Sequence, residues 1–211
     1  MNIDILNIDG IKSKSINISD NLTGLKVNYK LLKYVIDWQL NHGKKRVAKT
    51  KQRNEITGST RKIYAQKGTG GARHSSRKAP IFIGGGIAHG PKGDKYKVKK
   101  INKKMRKLAL AQTISKKSSN KELFVLDDIK KQIKKTKTFY SFLSKNKINN
   151  VLIISDKETH KNISKSVRNI PDVKLISDDG ANVYDLIKFK NVLFTTSSIK
   201  KIQDRILNEK N

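Results

Sequence analysis

The sequence has no cysteine among its 211 residues, which excludes disulfide bonds and thiolate metal sites. It also lacks any run of about 18 apolar residues, so it predicts no transmembrane helix. Acidic residues are scarce: 17 Asp and Glu oppose 47 Lys and Arg, and the formal net charge is +30 at pH 7. Residues 1–9 contain two aspartates and no Lys or Arg, which argues against a secretory signal and an Arg-rich transit peptide. We therefore expect a protein of a reducing compartment.

This excess of positive charge limits the kinds of molecule that the protein is expected to bind. Self-repulsion of such a chain opposes a compact state unless a polyanion neutralises it, and nucleic acid is the polyanion of dense, regular charge. Membrane surfaces attract basic proteins through amphipathic helices or polybasic segments beside lipid anchors, and the sequence offers no such anchor. Its length fits one domain, or one domain with an extension. We therefore expect a nucleic-acid partner, with neither a membrane nor a small-molecule substrate.

The positive charge is concentrated in the middle of the chain. Residues 44–107 hold 21 Lys and Arg against two acids, a net charge of +19, whereas the other 147 residues carry +11. Residues 44–99, called the central segment below, show no apolar periodicity and are rich in Gly, Ser, Thr and basic residues. Such a composition buries too little apolar surface to offset the entropy of ordering. We expect the central segment to be mobile alone and to order on a polyanion.

The rest of the chain alternates between strand-like and helix-like patterns. Short apolar runs predict strands buried on both faces at 123–126, 151–154, 173–176 and 192–195, with another strand at 3–5. Helical periodicity predicts helices at 28–42, from Lys103 to about Ile114, at 138–145, at 157–169 after a Ser155/Asp156 cap, at 182–187, and after Ser197 and Ser198.

Alternation of strands and helices predicts an α/β fold with a mostly parallel sheet flanked by helices in three layers. The predicted globular domain comprises residues 1–43 and 100–211, and residues 44–99 form a long extended basic loop. We also expect the two helices beside this loop to pair at its base.

Three clusters carry the predicted RNA contacts. Residues 61–74 interleave Arg and Lys with glycines, which admit close backbone approach, while Tyr64, Phe82 and Tyr96 could stack on unpaired bases. Residues 79–92 combine a small apolar patch with three consecutive glycines, which predicts a chain reversal close to RNA. Residues 99–108 are basic and could follow a phosphate backbone from the start of a helix. A flexible linker, a plain turn and a solvated face are the respective alternatives.

Catalytic, metal and nucleotide-loop signatures are missing from these motifs. The pattern G-x-x-x-x-G-K-[ST] does not occur, and residues 68–73 lack the last glycine of G-x-G-x-x-G. The four histidines, His42, His74, His89 and His160, show no metal-ligand spacing, and we expect His74 and His89 to donate to RNA. We expect no enzymatic activity, no metal and no cofactor. A DNA-compacting protein and an RNA-modifying enzyme with a basic arm remain the alternatives.

The clusters, in this order and spacing, resemble the universal L4 family of large-subunit ribosomal proteins, in its bacterial form. The matching motifs are residues 66–70, the glycines 84–86 and residues 102–106 followed by 108–110. The tip Gly-Gly-Ala-Arg-His and the later Gly-Gly-Gly resemble alphaproteobacterial or mitochondrial members most. The similarity is strong over residues 44–117 and collinear elsewhere. One departure is Gly71, where many members carry Arg, so one tip charge is lost.

This resemblance implies a structural constituent of the large ribosomal subunit that binds large-subunit rRNA early in assembly. Its loop tip would line the peptide exit tunnel, near the nascent peptide, with other large-subunit proteins as neighbours. It implies a bacterial cytoplasmic ribosome, or an organelle-encoded one. By motif, the tip comprises Gln66, Lys67, Gly68, Thr69, Gly70, Gly71, Ala72, Arg73 and His74. The predicted rRNA-binding residues are Lys44, Lys45, Arg46, Lys49, Lys51, Arg53, Arg61, Lys62, Lys67, Arg73, His74, Arg77, Lys78, His89, Lys92, Lys99, Lys100, Lys103, Lys104 and Arg106.

Overall fold

The computed structural model describes residues 1–44, 46–93 and 100–207, without the side chains of residues 12–14 and 21. The chain divides into two compact units: Met1–Leu40 with Lys100–Asn211, and Asn41–Lys99. Predicted contacts of Lys45, Tyr96 and Lys99 lie outside the described residues. Within the described ranges, no helix combines the length and apolar character needed to cross a bilayer.

The first unit is an α/β fold around a six-stranded sheet, as predicted. The strands lie in the order β2-β1-β3-β6-β4-β5. All except β2 are parallel to one another, and the edge strand β2 pairs with β1 in the antiparallel direction. Its strands are β1 Asn2–Leu6, β2 Lys12–Asn17, β3 Leu123–Leu126, β4 Val151–Ser155, β5 Val173–Ser177 and β6 Asn191–Thr195. The helices are α1 Asp20–Thr23, α2 Tyr29–Gly43, α3 Lys103–Ser119, α4 Thr136–Lys145, α5 Lys157–Val167, α6 Val183–Lys188 and α7 Thr196–Leu207, and a 3₁₀ turn spans Asp178–Gly180.

Two hydrophobic clusters cover the two faces of the sheet. Successive strand residues point to opposite faces, so Leu152 and Ile154 of β4 enter one cluster while Val151 and Ile153 enter the other. The first cluster takes its helical members from α1, α2, α3, α6 and α7, and the second from α4 and α5. This arrangement confirms the prediction of helices flanking a mostly parallel sheet.

Most predicted elements are confirmed, with differences at the sheet edges. β5 was predicted to be buried on both faces, which is wrong: it is an edge strand, and four of its five residues are half-buried. The predicted 157–169 helix ends earlier, at Val167. Asp156 occupies the predicted cap position, but its side chain makes no capping hydrogen bond. The antiparallel strand β2 and the short helix α1 were not predicted.

The two long helices touch through side chains, but the close pairing expected at the base of the loop is not confirmed. The amide of Asn28, just before α2, donates to Oε1 of Gln112 in α3 over 3.1 Å. Further along, the Arg106 guanidinium of α3 lies 5.2 Å from the ring centroid of Trp38 in α2. Both contacts belong to the first unit.

Beyond the end of α2, the described part of the second unit consists of turns, bends and irregular backbone. Within its described residues the only ladder contact is an isolated antiparallel bridge between Lys49 and Lys92. A long extended loop, the form predicted for the central segment, is not confirmed.

Candidate nucleic-acid interface

Backbone hydrogen bonds join the first residues of the central segment, 48–51, to its last described residues, 87–93. The amide of Gly93 donates to Ala48 O over 2.8 Å, and that of Thr50 to Pro91 O over 2.9 Å. One step further out, the amide of Ile87 donates to Lys51 O over 3.0 Å. These bonds hold the two ends of the segment together. Residues 52–86 therefore form one closed loop between Lys51 and Ile87.

The glycines 84–86 lie at a close backbone crossing within the protein. A Cβ added at Gly86 would lie 2.3 Å from the amide nitrogen of Arg53, and one at Gly85 would lie 2.0 Å from Ala79 O. The amide of Gly86 also donates to Lys78 O over 2.9 Å. The predicted chain reversal is therefore present, and packing against the chain's own backbone explains the need for glycine at 85 and 86.

The tip glycines behave differently. Gly68 and Gly70 have φ of +89° and +65°, which favour glycine, and no atom lies within 4 Å of a Cβ added at either position. Of the described residues, none from Ala65 to His74 uses its backbone amide in a hydrogen bond. The tip therefore presents unused amide donors and open space to a ligand, whereas the 84–86 turn is filled by the protein.

Two aromatic side chains in the described part of this unit pack on a histidine. His74 lies edge-on to Phe82, with ring centroids 4.8 Å apart, and to Tyr64 at 6.4 Å. The hydroxyl of Tyr64 donates to Ala72 O. All three side chains are half-buried, so they stabilise the local turn and keep only part of their ring surface for RNA bases.

The predicted rRNA-binding cations of the second unit are mostly exposed. Only one acidic residue, Glu55, is described there, and its carboxylate accepts from the amide of Gln52 over 3.1 Å. No described carboxylate lies within salt-bridge distance of Lys67, Arg73 or Arg77. Exposed positions are Lys44, Arg46, Lys49, Lys51, Arg53, Arg61, Lys62, Lys67, Arg73, Arg77, His89 and Lys92, while Lys78 and His74 are half-buried.

The remaining predicted cations lie in the first unit, at and before the start of α3. Asn102 caps this helix by accepting from the amide of Lys104 over 3.2 Å. Lys100, Lys103, Lys104 and Arg106 are exposed, and the first turn contains no acidic residue. Cations at the positive end of a helix dipole are unfavourable by themselves, so this arrangement favours an anion as ligand.

Metal chemistry finds no support among the described residues. They contain no group of three or more His, Asp or Glu side chains positioned to hold a metal ion. His89 is exposed, and its backbone adopts a φ of +56°. The sequence did not point to Trp38 or Arg205, which line a cleft in the first unit together with Lys103, Arg106 and Lys107. The signal overlooked there was the single tryptophan within a basic protein.

Comparison with known proteins agrees with the resemblance noted in the sequence. The sequence profile of the Ribosomal protein L4/L1 family matches residues 16–205. A protein named large ribosomal subunit protein uL4 from the alphaproteobacterium Pelagibacter ubique is 52% identical over 206 residues, covering 97% of this chain and 99% of the relative. Proteins of the same name are 41% identical in Desulforapulum autotrophicum (96% and 97% covered) and 37% identical in Thermotoga maritima (98% and 96% covered). The chain therefore belongs to the Ribosomal protein L4/L1 family.

Proposed function

We propose that this chain is a structural constituent of the large ribosomal subunit and binds large-subunit rRNA through its central segment. The observation that carries the proposal is the row of exposed cations in a region of net charge +19, where Lys67, Arg73 and Arg77 have no described carboxylate within salt-bridge distance. The relatives' name, large ribosomal subunit protein uL4, supports the same assignment. No catalytic step is part of the proposal.

The mechanism is electrostatic neutralisation coupled to ordering of the segment. Each Lys or Arg that neutralises a phosphate releases counterions, so the affinity falls with salt by about 0.9 in the log–log slope per duplex phosphate contacted. The open tip around Gly68 and Gly70 lets RNA approach the backbone closely. One protein segment can thereby hold several RNA segments together during subunit assembly.

Filter binding of the full chain to large-subunit rRNA over a salt series tests this proposal. We expect a steep linear loss of log affinity with log salt, and little competition from duplex DNA of equal length. Equal competition by duplex DNA would favour the DNA-compacting alternative and contradict the proposal. A turnover assay on the same rRNA addresses the RNA-modifying alternative, and we expect no modified product.

We further propose that the tip, residues 66–74, lies at the peptide exit tunnel near the nascent peptide, with other large-subunit proteins around the globular domain. The chain has no cysteine, so a single substitution creates a unique thiol. Thr69→Cys, at the exposed tip, should crosslink to a stalled nascent chain in assembled ribosomes. Lys161→Cys, exposed on α5, is the matched control and should not.

Crosslinking from both positions, or from Lys161→Cys alone, would contradict the tunnel placement while leaving rRNA binding intact. The proposed setting is a bacterial cytoplasmic ribosome, with an organelle-encoded ribosome as the alternative. Sedimentation of the native protein with the large subunit through moderate salt supports the ribosomal assignment in either setting.

A further inference from the structure

A cleft of about 410 Å³ opens in the first unit between α2, α3, the start of α6 and α7. Buried apolar side chains, Val35 and Leu110, form part of its lining. The volume is within the range of small-ligand sites. Four cations and one carboxylate share the lining: Lys103, Arg106, Lys107, Arg205 and Asp179.

The cleft has an excess of positive charge, and part of its rim is held in place. Nη1 of Arg205 donates to the carbonyl oxygens of Asp178 and Asp179 over 3.4 and 3.1 Å. The carboxylate of Asp179 lies 3.4 Å from Nζ of Lys157, so its charge is already partly compensated. The remaining lining cations therefore favour an anionic ligand.

A flat aromatic surface adds a second recognition element. Trp38 lines the cleft, is half-buried and lies under the Arg106 guanidinium at 5.2 Å. Unpaired bases stack on aromatic rings and on guanidinium planes, and phosphates bind Lys and Arg. An apolar lining, two flat groups and several cations match the parts of a nucleotide.

We propose that this cleft binds one unpaired nucleotide of single-stranded RNA. Its base packs against the Trp38–Arg106 pair, and its phosphate lies toward Lys103, Lys107 and Arg205. This contact goes beyond the proposed function, since it places an RNA site on the first unit that needs no residue of the central segment. Duplex RNA would keep its bases stacked and paired, and an acidic peptide would leave the aromatic surface unused.

Trp38 is the only tryptophan of the chain, so its fluorescence reports on this cleft alone. The full-length protein is titrated with a short oligouridylate, with duplex RNA of the same charge, and with oligoglutamate. We expect saturable quenching by the single strand and little change with the other two. No quenching by oligouridylate, or equal quenching by duplex RNA or by oligoglutamate, overturns the proposal.

A matched pair of variants that retains the Trp38 reporter sharpens the test. Arg106→Gln should raise the oligouridylate concentration at half-quenching roughly tenfold, the scale of one lost base-stacking contact. Lys33→Gln removes an exposed cation from α2 outside the cleft and should leave that concentration unchanged. Equal shifts in both variants would mean that only net charge matters, and the cleft proposal would fail.

Failure of the cleft and failure of the proposed function give different results. If the cleft is not a nucleotide site, Trp38 does not respond, yet filter binding of large-subunit rRNA keeps its steep salt dependence. If the proposed function is wrong, large-subunit rRNA loses its advantage over duplex DNA in the same assay.

Discussion

At the residue scale, Lys117 is a buried cation whose ammonium group donates to three acceptors. Its side chain is 9% exposed, and Nζ donates to Glu122 Oε2 over 2.8 Å and to the carbonyls of Phe189 and Lys190 over 2.9 and 2.7 Å. It thus joins the end of α3 to the turn before β6. Three acceptors depend on this one ammonium group.

Lys117→Met should lower the free energy of unfolding by roughly 3 kcal/mol, because it leaves buried acceptors without a donor. Urea unfolding followed by circular dichroism measures the loss. Lys104→Met, at an exposed position of the same helix, is the control and should change stability by less than about 0.5 kcal/mol. Equal effects of the two substitutions would show that the buried ammonium group has no special role.

The contrast between the two groups of glycines gives a second residue-scale prediction. Gly86→Ala places a Cβ against the backbone of Arg53, and overpacking of this kind costs about 1–3 kcal/mol. Because RNA binding requires the native turn, we expect rRNA affinity in filter binding to fall roughly tenfold.

Gly71→Ala is the matched control for the packing cost. Its Cβ would meet only the Tyr64 hydroxyl at 3.9 Å, so its urea midpoint should stay at that of the parent, whereas that of Gly86→Ala should fall. A loss of stability for Gly71→Ala as large as that for Gly86→Ala would contradict the assignment of packing to one group and open space to the other.

The sequence predicted that these glycines were special but could not separate their roles. Gly-Thr-Gly-Gly and Gly-Gly-Gly are similar sequence motifs. Only the fold shows that Gly86 lies against the backbone of Arg53, whereas nothing lies close to Gly68. Likewise, Tyr64 and Phe82 were predicted as stacking platforms for bases, whereas His74 lies against both. A close approach between residues distant along the chain leaves no local signature.

At the scale of elements, long periodic segments were predictable and short edge elements were not. Helices α2 and α3 and the apolar runs of β3, β4 and β6 carry strong patterns, and all were predicted. Strand β2 reads Lys-Ser-Lys-Ser-Ile-Asn, a composition with little strand preference, and pairing with β1 stabilises it. The overlooked signal was Asp9-Gly10, a typical hairpin turn, where Gly10 has a φ of +84°.

Helix α7 packs at the carboxyl ends of β4 and β5 through an ion-pair cluster. Lys201 donates to Asp156 Oδ1 and lies 3.4 Å from Asp178 Oδ2. The hydrogen bond from Lys201 lowers the pKa of Asp156 below its ordinary value of 3.8, against the opposing effect of burial. The same hydrogen bond and the nearby Asp178 raise the pKa of Lys201 above 10.5.

The pH dependence follows from the direction of these shifts. A lowered pKa in the folded state means that Asp156 contributes its stabilisation above pH 3.8 and loses it as pH falls through the folded-state pKa. The raised pKa of Lys201 acts at the other end, since its contribution is present below pH 10.5 and disappears as pH rises through the folded-state pKa.

Asp156→Asn should therefore be less stable than the parent at neutral pH, and the gap in free energy of unfolding should close as pH falls through that pKa. Urea unfolding at several pH values from neutral to strongly acidic measures this gap. Asp204→Asn changes an exposed carboxylate of α7, the helix that carries Lys201, and should show no comparable gap. A gap that widens on acidification would contradict the assigned sign.

At the scale of the whole molecule, the division of charge was visible in the sequence, whereas the local form of the central segment was not. Net charge and apolar content are sums over residues, so they can be read without a fold. The backbone bonds between 48–51 and 87–93 depend on pairing across about forty residues, which no local pattern encodes. The sequence consequently predicted a long extended loop, and the structure describes turns whose two ends are joined by backbone hydrogen bonds.

Because the two ends of the central segment are bonded to each other, the residues between them can be removed without disturbing the rest of the protein. Lys51 O and Ile87 N are 3.0 Å apart, so residues 52–86 can be replaced by a short glycine linker without stretching the chain. Because the hydrophobic clusters take all their members from outside this range, the urea midpoint of the variant should match that of the parent. The excision removes seven cations: Arg53, Arg61, Lys62, Lys67, Arg73, Arg77 and Lys78.

If these cations neutralise rRNA phosphates, the log–log salt slope of rRNA binding should become shallower by at most about 6, with a severe loss of affinity at physiological salt. The control removes the same number of cations from the globular domain by Lys→Gln substitutions. A similar loss in both proteins would mean that total charge governs binding, and the central segment would have no privileged role. A parent-like slope after excision would contradict its role more directly, because the seven cations would then contact no phosphate. The control positions are Lys130, Lys131, Lys134, Lys135, Lys137, Lys161 and Lys165.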